Sequence, residues 1–88
     1  MNDTGFLDDA PADPQMTDYD RRCLKSYMRL LDSVVDGADW KDAVKVIFGI
    51  DPTVDMVRAR RVYDSHLRRA EWVSSQGYLD LIDRNKAP

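Results

Sequence analysis

Arg58, Arg60, Arg61, Arg68 and Arg69 crowd one short stretch of this 88-residue chain. Guanidinium groups at that density bind phosphates and base edges, which is the chemistry of a DNA reader. The same stretch holds Asp64 and Glu71, and it follows Asp51 and Asp55. Each acid opposes the counterion release that drives binding to a polyanion. Arg60 with Asp64, and Asp64 with Arg68, stand four residues apart and can pair on a helix surface. The arginines therefore read in two ways, as a nucleic-acid face or as an ion-paired, solvated helix face.

Other chemistry is sparsely provided for. His66 is the only histidine. It falls beside the inner face of a helix and reads as a half-buried structural residue rather than a catalyst. Cys23 is the only cysteine, so an internal disulfide or a cysteine-based zinc site is excluded. A reducing, cytoplasmic setting is the expectation. There is no glycine-rich phosphate loop and no clustered set of metal ligands. The fifteen aspartates are scattered, many at helix starts, where a carboxylate satisfies free amides and the helix dipole. The expectation is a non-enzyme that needs no cofactor, metal or small-molecule substrate. Nothing approaches the roughly 20 apolar residues of a membrane span, and no basic-then-apolar leader opens the chain.

The elements that must position these groups read as helices. Thr17 starts the first, with Asp20 three residues on as a short capping box. Tyr19, Cys23, Tyr27, Leu30, Leu31 and Val34 share one face, Arg21, Arg22, Lys25 and Arg29 the other, and Gly37 ends the helix after Asp36. Asp39 caps a second helix whose Trp40, Ala43, Val44, Ile47 and Phe48 face inward. Val46 points away from that stripe, and Gly49 supplies the stop. A third, long helix is expected from near Pro52 to Gln76, capped by Asp51 or Thr53. Met56, Ala59, Tyr63, Leu67, Ala70 and Val73 fall on one side of it. Arg58, Arg61, Ser65, Arg69 and Trp72 fall on the other. Gly77 ends it, and Tyr78 to Arg84 fit one last short helix. With no alternating strand and no repeat, the fold class is all-α: a small helix-turn-helix-like bundle of three to four helices over residues 17–84, with residues 85–88 as a C-terminal tail.

The first sixteen residues carry Asp3, Asp8, Asp9 and Asp13 and no base, so they hold more than the chain's whole net charge of −3. With Gly5, Pro11 and Pro14 among them, the composition predicts a disordered, solvating tail. The sharper reading of the same acids is an arm that repels DNA or covers a basic patch, with Phe6 and Leu7 as its only anchors.

The Leu-rich first helix, VIFG at Val46–Gly49, LRRA at Leu67–Ala70 and GYLDLI at Gly77–Ile82 together resemble the domain-of-unknown-function family 2285. The resemblance covers about residues 20–83. It implies a helix-turn-helix unit with an extended turn, of a kind carried on proteobacterial mobile elements and acting in the regulation of their transfer. Activators of that family add an N-terminal domain and use a basic face on DNA. This chain has no room for such a domain and departs from the basic pattern at Asp51 and Asp55. What the resemblance implies is therefore a stand-alone antiactivator linked to quorum sensing and horizontal gene transfer. Its partner is a transcriptional activator protein, met at the activator's non-helix-turn-helix domain, with no DNA bound. The alternative is a sequence-specific DNA-binding regulator. On the first reading Asp51, Asp55, Arg58, Arg61 and Arg69 form a vestigial DNA face. The partner surface comprises Trp72, Tyr78, Leu81 and Ile82, with Arg22 and Arg29 beside them.

Overall fold

Thr17 opens the helical part with a full capping box. Its hydroxyl accepts from the Asp20 N–H, and Asp20 Oδ2 accepts from the Thr17 N–H at 2.9 Å. The computed structural model describes residues 5–77, and the fold it shows is all-α. The first helix is divided at Cys23 into α1 (Asp18–Arg22) and α2 (Leu24–Val35). Cys23 leaves helical geometry at φ −97°, ψ 5°, and its N–H is shared between the Tyr19 and Asp20 carbonyls. The unbroken helix expected from Thr17 is in this respect corrected. The short helix expected over Tyr78–Arg84, and with it Tyr78, Leu81 and Ile82, lies outside the described residues.

Asp39 caps α3 (Trp40–Phe48) as expected, by accepting from the Lys41 N–H at 2.9 Å. Gly49 ends it in the left-handed region at φ 72°, where a side chain would be strained. The next helix, α4 (Met56–Trp72), starts a turn later than Pro52, because two aspartates divide the capping between them. Asp51 Oδ1 holds the Thr53 N–H and hydroxyl, closing a separate turn, and Asp55 Oδ1 accepts from the Arg58 N–H at 3.0 Å to cap the helix itself. The connection from Gly49 to Asp55 is thus longer than the 3–4 residues of a tight helix-turn-helix. Past Trp72 the helix widens into one π turn, Val73–Gly77. There the hydroxyls of Ser74 and Ser75 both bond the Glu71 carbonyl and compete with the backbone for it.

The core has two parts. Leu30, Val44, Phe48, Ile50, Val62 and Tyr63 anchor the first, where α2, α3 and α4 meet. Met16, Tyr19, Cys23, Tyr27, Ala70 and Val73 form the second, between α1, α2 and the end of α4. Phe6 packs against both. Its ring meets Phe48 edge-on, with centroids 4.7 Å apart.

Residues 5–17 carry no helix or strand, yet they are laid along α4 as a strap. The expectation of a free tail is corrected for this described stretch. Composition undercounted the anchors. Met16 is buried at one end and Phe6 partly buried at the other, the Leu7 N–H donates to Tyr19 Oη, and Ser65 Oγ accepts from the Ala10 N–H at 3.1 Å. Leu7, the other anchor expected, stays half exposed and contributes through its backbone.

Phe6→Ala removes the side chain that touches both core clusters. A fully buried Phe→Ala costs about 3–5 kcal/mol; Phe6 is only partly buried, so a loss of about 2 kcal/mol is expected. The urea midpoint should fall with the m-value unchanged. An unmoved midpoint would mean that the strap does not pack in solution.

Candidate functional site: an arginine face closed by an acidic strap

A second inward stripe runs along α4 beside the apolar one read from the sequence. Ala59, Val62, His66, Arg69 and Val73 repeat every three or four residues, and all are buried. Arg69 belongs to this stripe. Its placement on an outer DNA face is corrected: the residue is 5% exposed, against 0% for the Asp20 it faces. Nε donates to Asp20 Oδ1 at 3.0 Å, and an Nη donates to Oδ2 at 2.7 Å. The same carboxylate accepts from Tyr27 Oη at 2.8 Å and from Thr17. Burial pushes the Asp20 carboxyl upward. The Arg69 guanidinium, the Thr17 N–H and the Tyr27 hydroxyl outweigh it and hold the group at about 2.

The rest of the guanidinium reads the strap. Arg69 donates to the Asp13 carbonyl at 2.7 Å and to the Gln15 carbonyl at 2.9 Å. Its flat face lies 4.0 Å over the Trp72 ring. Trp72 does leave the main apolar stripe, as the helical spacing predicts. Its ring is half-buried against the second cluster, and it lines a cleft with Ala10 to Pro14 of the strap.

His66 is fully buried, more deeply than the half-buried place expected for it. Nδ1 lies 2.8 Å from the Val62 carbonyl, which can only accept, so Nδ1 carries the proton. Nε2 then accepts from Tyr19 Oη at 2.6 Å, and Tyr19 Oη in turn accepts from the Leu7 N–H. Burial drives the imidazole below its ordinary range, against the pull of the Val62 carbonyl and the fields of Asp9 and Asp20. The histidine is a neutral hinge-pin between α1, α4 and the strap.

The outer arginines are met by the strap's acids. Arg58 Nε donates to Asp8 at 2.8 Å, and Arg61 grips both oxygens of Asp9, Nε at 2.7 Å. The Arg61 guanidinium holds the Asp9 carboxyl below its usual range. Arg60 pairs with Asp64 at 3.0 Å, as the i,i+4 spacing predicts, and lies 4.8 Å over the Trp40 ring. Arg68 is exposed, and among the described residues it forms no ion pair. The acidic arm that covers a basic patch is therefore the reading the geometry fits.

The other predicted site residues scatter. Asp51 and Asp55 stand exposed before α4, Asp51 closing the preceding turn and Asp55 capping the helix. Arg22 is exposed on α1. Arg29 is exposed on α2 and borders a shallow cleft shared with Asp32, Asp42 and Val46. Leu24, Met28, Leu31 and Val73 line an apolar groove between α2 and the end of α4. Among the described residues no group of three or more His, Cys, Asp or Glu side chains is placed to hold a metal ion, and no helix is long and apolar enough to cross a membrane.

Sequence reasoning missed the Asp20–Arg69 pair. Asp20 looked fully explained as a cap, and its partner lies 49 residues away. The signal was the 62–66–69–73 spacing, which puts an arginine in register with buried residues. Compared with models of known families the chain matches none, and no curated protein matches it.

Arg69→Met should destabilise by about 3–5 kcal/mol, because it strands a charged carboxylate in the core. The pH dependence separates this from lost packing. In the parent, Asp20 is depressed to about 2, so its stabilisation is present above the unfolded value and lost as pH falls through about 2. In the variant the lone carboxyl is raised instead, so acid relieves it. The stability gap between parent and Arg69→Met should begin to narrow above pH ~4, as pH falls through the variant's raised value, and go on narrowing below it. A gap constant from pH 7 to pH 3 would refute the charge argument.

Proposed function

We propose that this chain is an antiactivator. It binds a transcriptional activator of conjugative-element transfer by protein–protein contact and blocks activation without binding DNA itself. One observation carries the reading. A reading helix presents its first turns to the DNA groove. The corresponding segment here exposes Val54 and Val57, each 82% accessible, and Met56, with Asp51 and Asp55 close by in the chain. Aliphatic and acidic groups suit a protein surface and oppose phosphate. Farther along α4, Arg58, Arg61, Arg69 and Arg60 are engaged by Asp8, Asp9, Asp20 and Asp64 respectively.

The resemblance to the 2285 family supplies the partner class and the logic. An isolated copy of a domain competes for the surface that the activator's own copy uses. The activator's contact is intramolecular and has a high effective concentration. The inhibitor must therefore bind more tightly, be more abundant, or act before the activator docks. The link to quorum sensing follows from the same resemblance, and the cytoplasmic setting from the single cysteine. The competing reading is a sequence-specific DNA-binding regulator. It requires that Arg58, Arg61 and Arg68 reach phosphates past the strap.

Val54→Lys with Val57→Lys adds two cations at exposed positions and should leave folding stability within about 0.5 kcal/mol. Inhibition of an activator-driven reporter should fall, and calorimetric titration of the activator's non-helix-turn-helix domain should show binding at least about tenfold weaker, a change of about 1.4 kcal/mol. The parent chain should shift no promoter DNA at any salt concentration. A parent complex with DNA that weakens steeply as salt rises would establish the competing reading.

A further inference from the structure

The strap occupies its groove as a ligand would. Between partly buried Phe6 and buried Met16 it has no helix or strand, and it touches α4 through groups that read peptide carbonyls and amides. Arg69 donates to two strap carbonyls, and Ser65 Oγ accepts from the Ala10 N–H. Arg58 and Arg61 take the carboxylates two and three residues beyond Phe6. Phe6 sits edge-on to Phe48 and His66, with centroids 4.7 and 6.1 Å away. The fit is loose in the middle, where a cleft of about 260 Å³ remains between residues 10–14 and Arg68, Arg69 and Trp72. Both ion pairs are about half exposed, and each such pair contributes about 0–1 kcal/mol.

We infer that the strap is a displaceable internal ligand, and that the groove on α4 accepts in its place an extended acidic segment of a partner protein. The segment carries an aromatic residue followed two and three positions later by carboxylates. DNA is disfavoured as the occupant. A nucleic-acid backbone has no run of amides and carbonyls for Ser65 and Arg69, and nothing of its phosphate chain fills the Phe6 pocket. Tethering gives the strap a high local concentration, so the groove is closed at rest and opens only to a segment that binds better than the strap does. This stands whether or not the partner is an activator, and its test uses a segment of this chain.

The probe is a fluorescein-labelled peptide of residues 5–16, titrated against the full-length chain and followed by anisotropy. The receptor is the full chain with Phe6→Ala, Asp8→Asn and Asp9→Asn, which weakens the internal strap, with its helical circular dichroism recorded first. Asp8→Asn with Asp9→Asn alone alters only partly exposed side chains and serves if the triple variant does not fold. The peptide should saturate the weakened receptor and bind the parent chain at least about tenfold more weakly. Adding Arg58→Ala and Arg61→Ala to the receptor should weaken binding measurably, by up to about thirtyfold, and Phe6→Ala in the peptide should weaken it at least about tenfold. The inference is overturned if neither weakened receptor binds the peptide, or if binding ignores Arg58 and Arg61. It is overturned equally if duplex DNA binds the opened receptor and displaces the peptide, which would assign the face to nucleic acid.

Discussion

Asp20 and Arg69 meet in the core, and most of the tertiary arrangement follows from satisfying them. A buried carboxylate must be surrounded by donors, and a buried guanidinium must spend its remaining N–H groups on acceptors. Asp20 takes Thr17, Tyr27 and Arg69; Arg69 takes Asp20 and the carbonyls of Asp13 and Gln15. That set ties α1, α2, α4 and the strap to one point. Among the described residues no fully buried side-chain nitrogen or oxygen lacks a partner. Replacing such a pair by apolar residues is often neutral, whereas removing one member is costly. The pair therefore specifies how the elements sit more than it adds net stability.

The strap shows which forces hold. Its exposed ion pairs with Arg58 and Arg61 contribute little each, since water and salt screen them. Phe6 and Met16 remove apolar surface from water, and Arg69 binds strap carbonyls in a site shielded from solvent. Apolar anchors hold the segment down. The carboxylates of Asp8 and Asp9 pair with α4 on the same face as those anchors.

The region where a helix-turn-helix would read DNA carries acids that bond its own backbone. Asp51 and Asp55 each accept from a backbone amide, Asp51 in the turn and Asp55 at the helix start. Their charge comes with the capping role. Arg60 is drawn the other way, onto Asp64 and the faces of Trp40 and Tyr63. Local helix chemistry and electrostatic repulsion of phosphate thus arise from the same side chains.

The sequence by itself determined the helices, because their signals are local. Thr17 with Asp20, Asp39 before Trp40 and Gly49 after Phe48 are each readable within a few residues, and the structure places a boundary at each. The all-α class follows from those signals and the helical spacing of apolar residues. The burial of Arg69, the depth of His66 and the docking of the strap were decided by tertiary structure. Each depends on a partner about 50 residues distant in the chain: Arg69 on Asp20, His66 on Tyr19, Arg61 on Asp9. A charged or polar side chain has no fixed preference for inside or outside. Its place depends on whether the fold brings it enough donors and acceptors to offset its lost hydration; helical spacing can put it in register with buried neighbours but does not supply those partners.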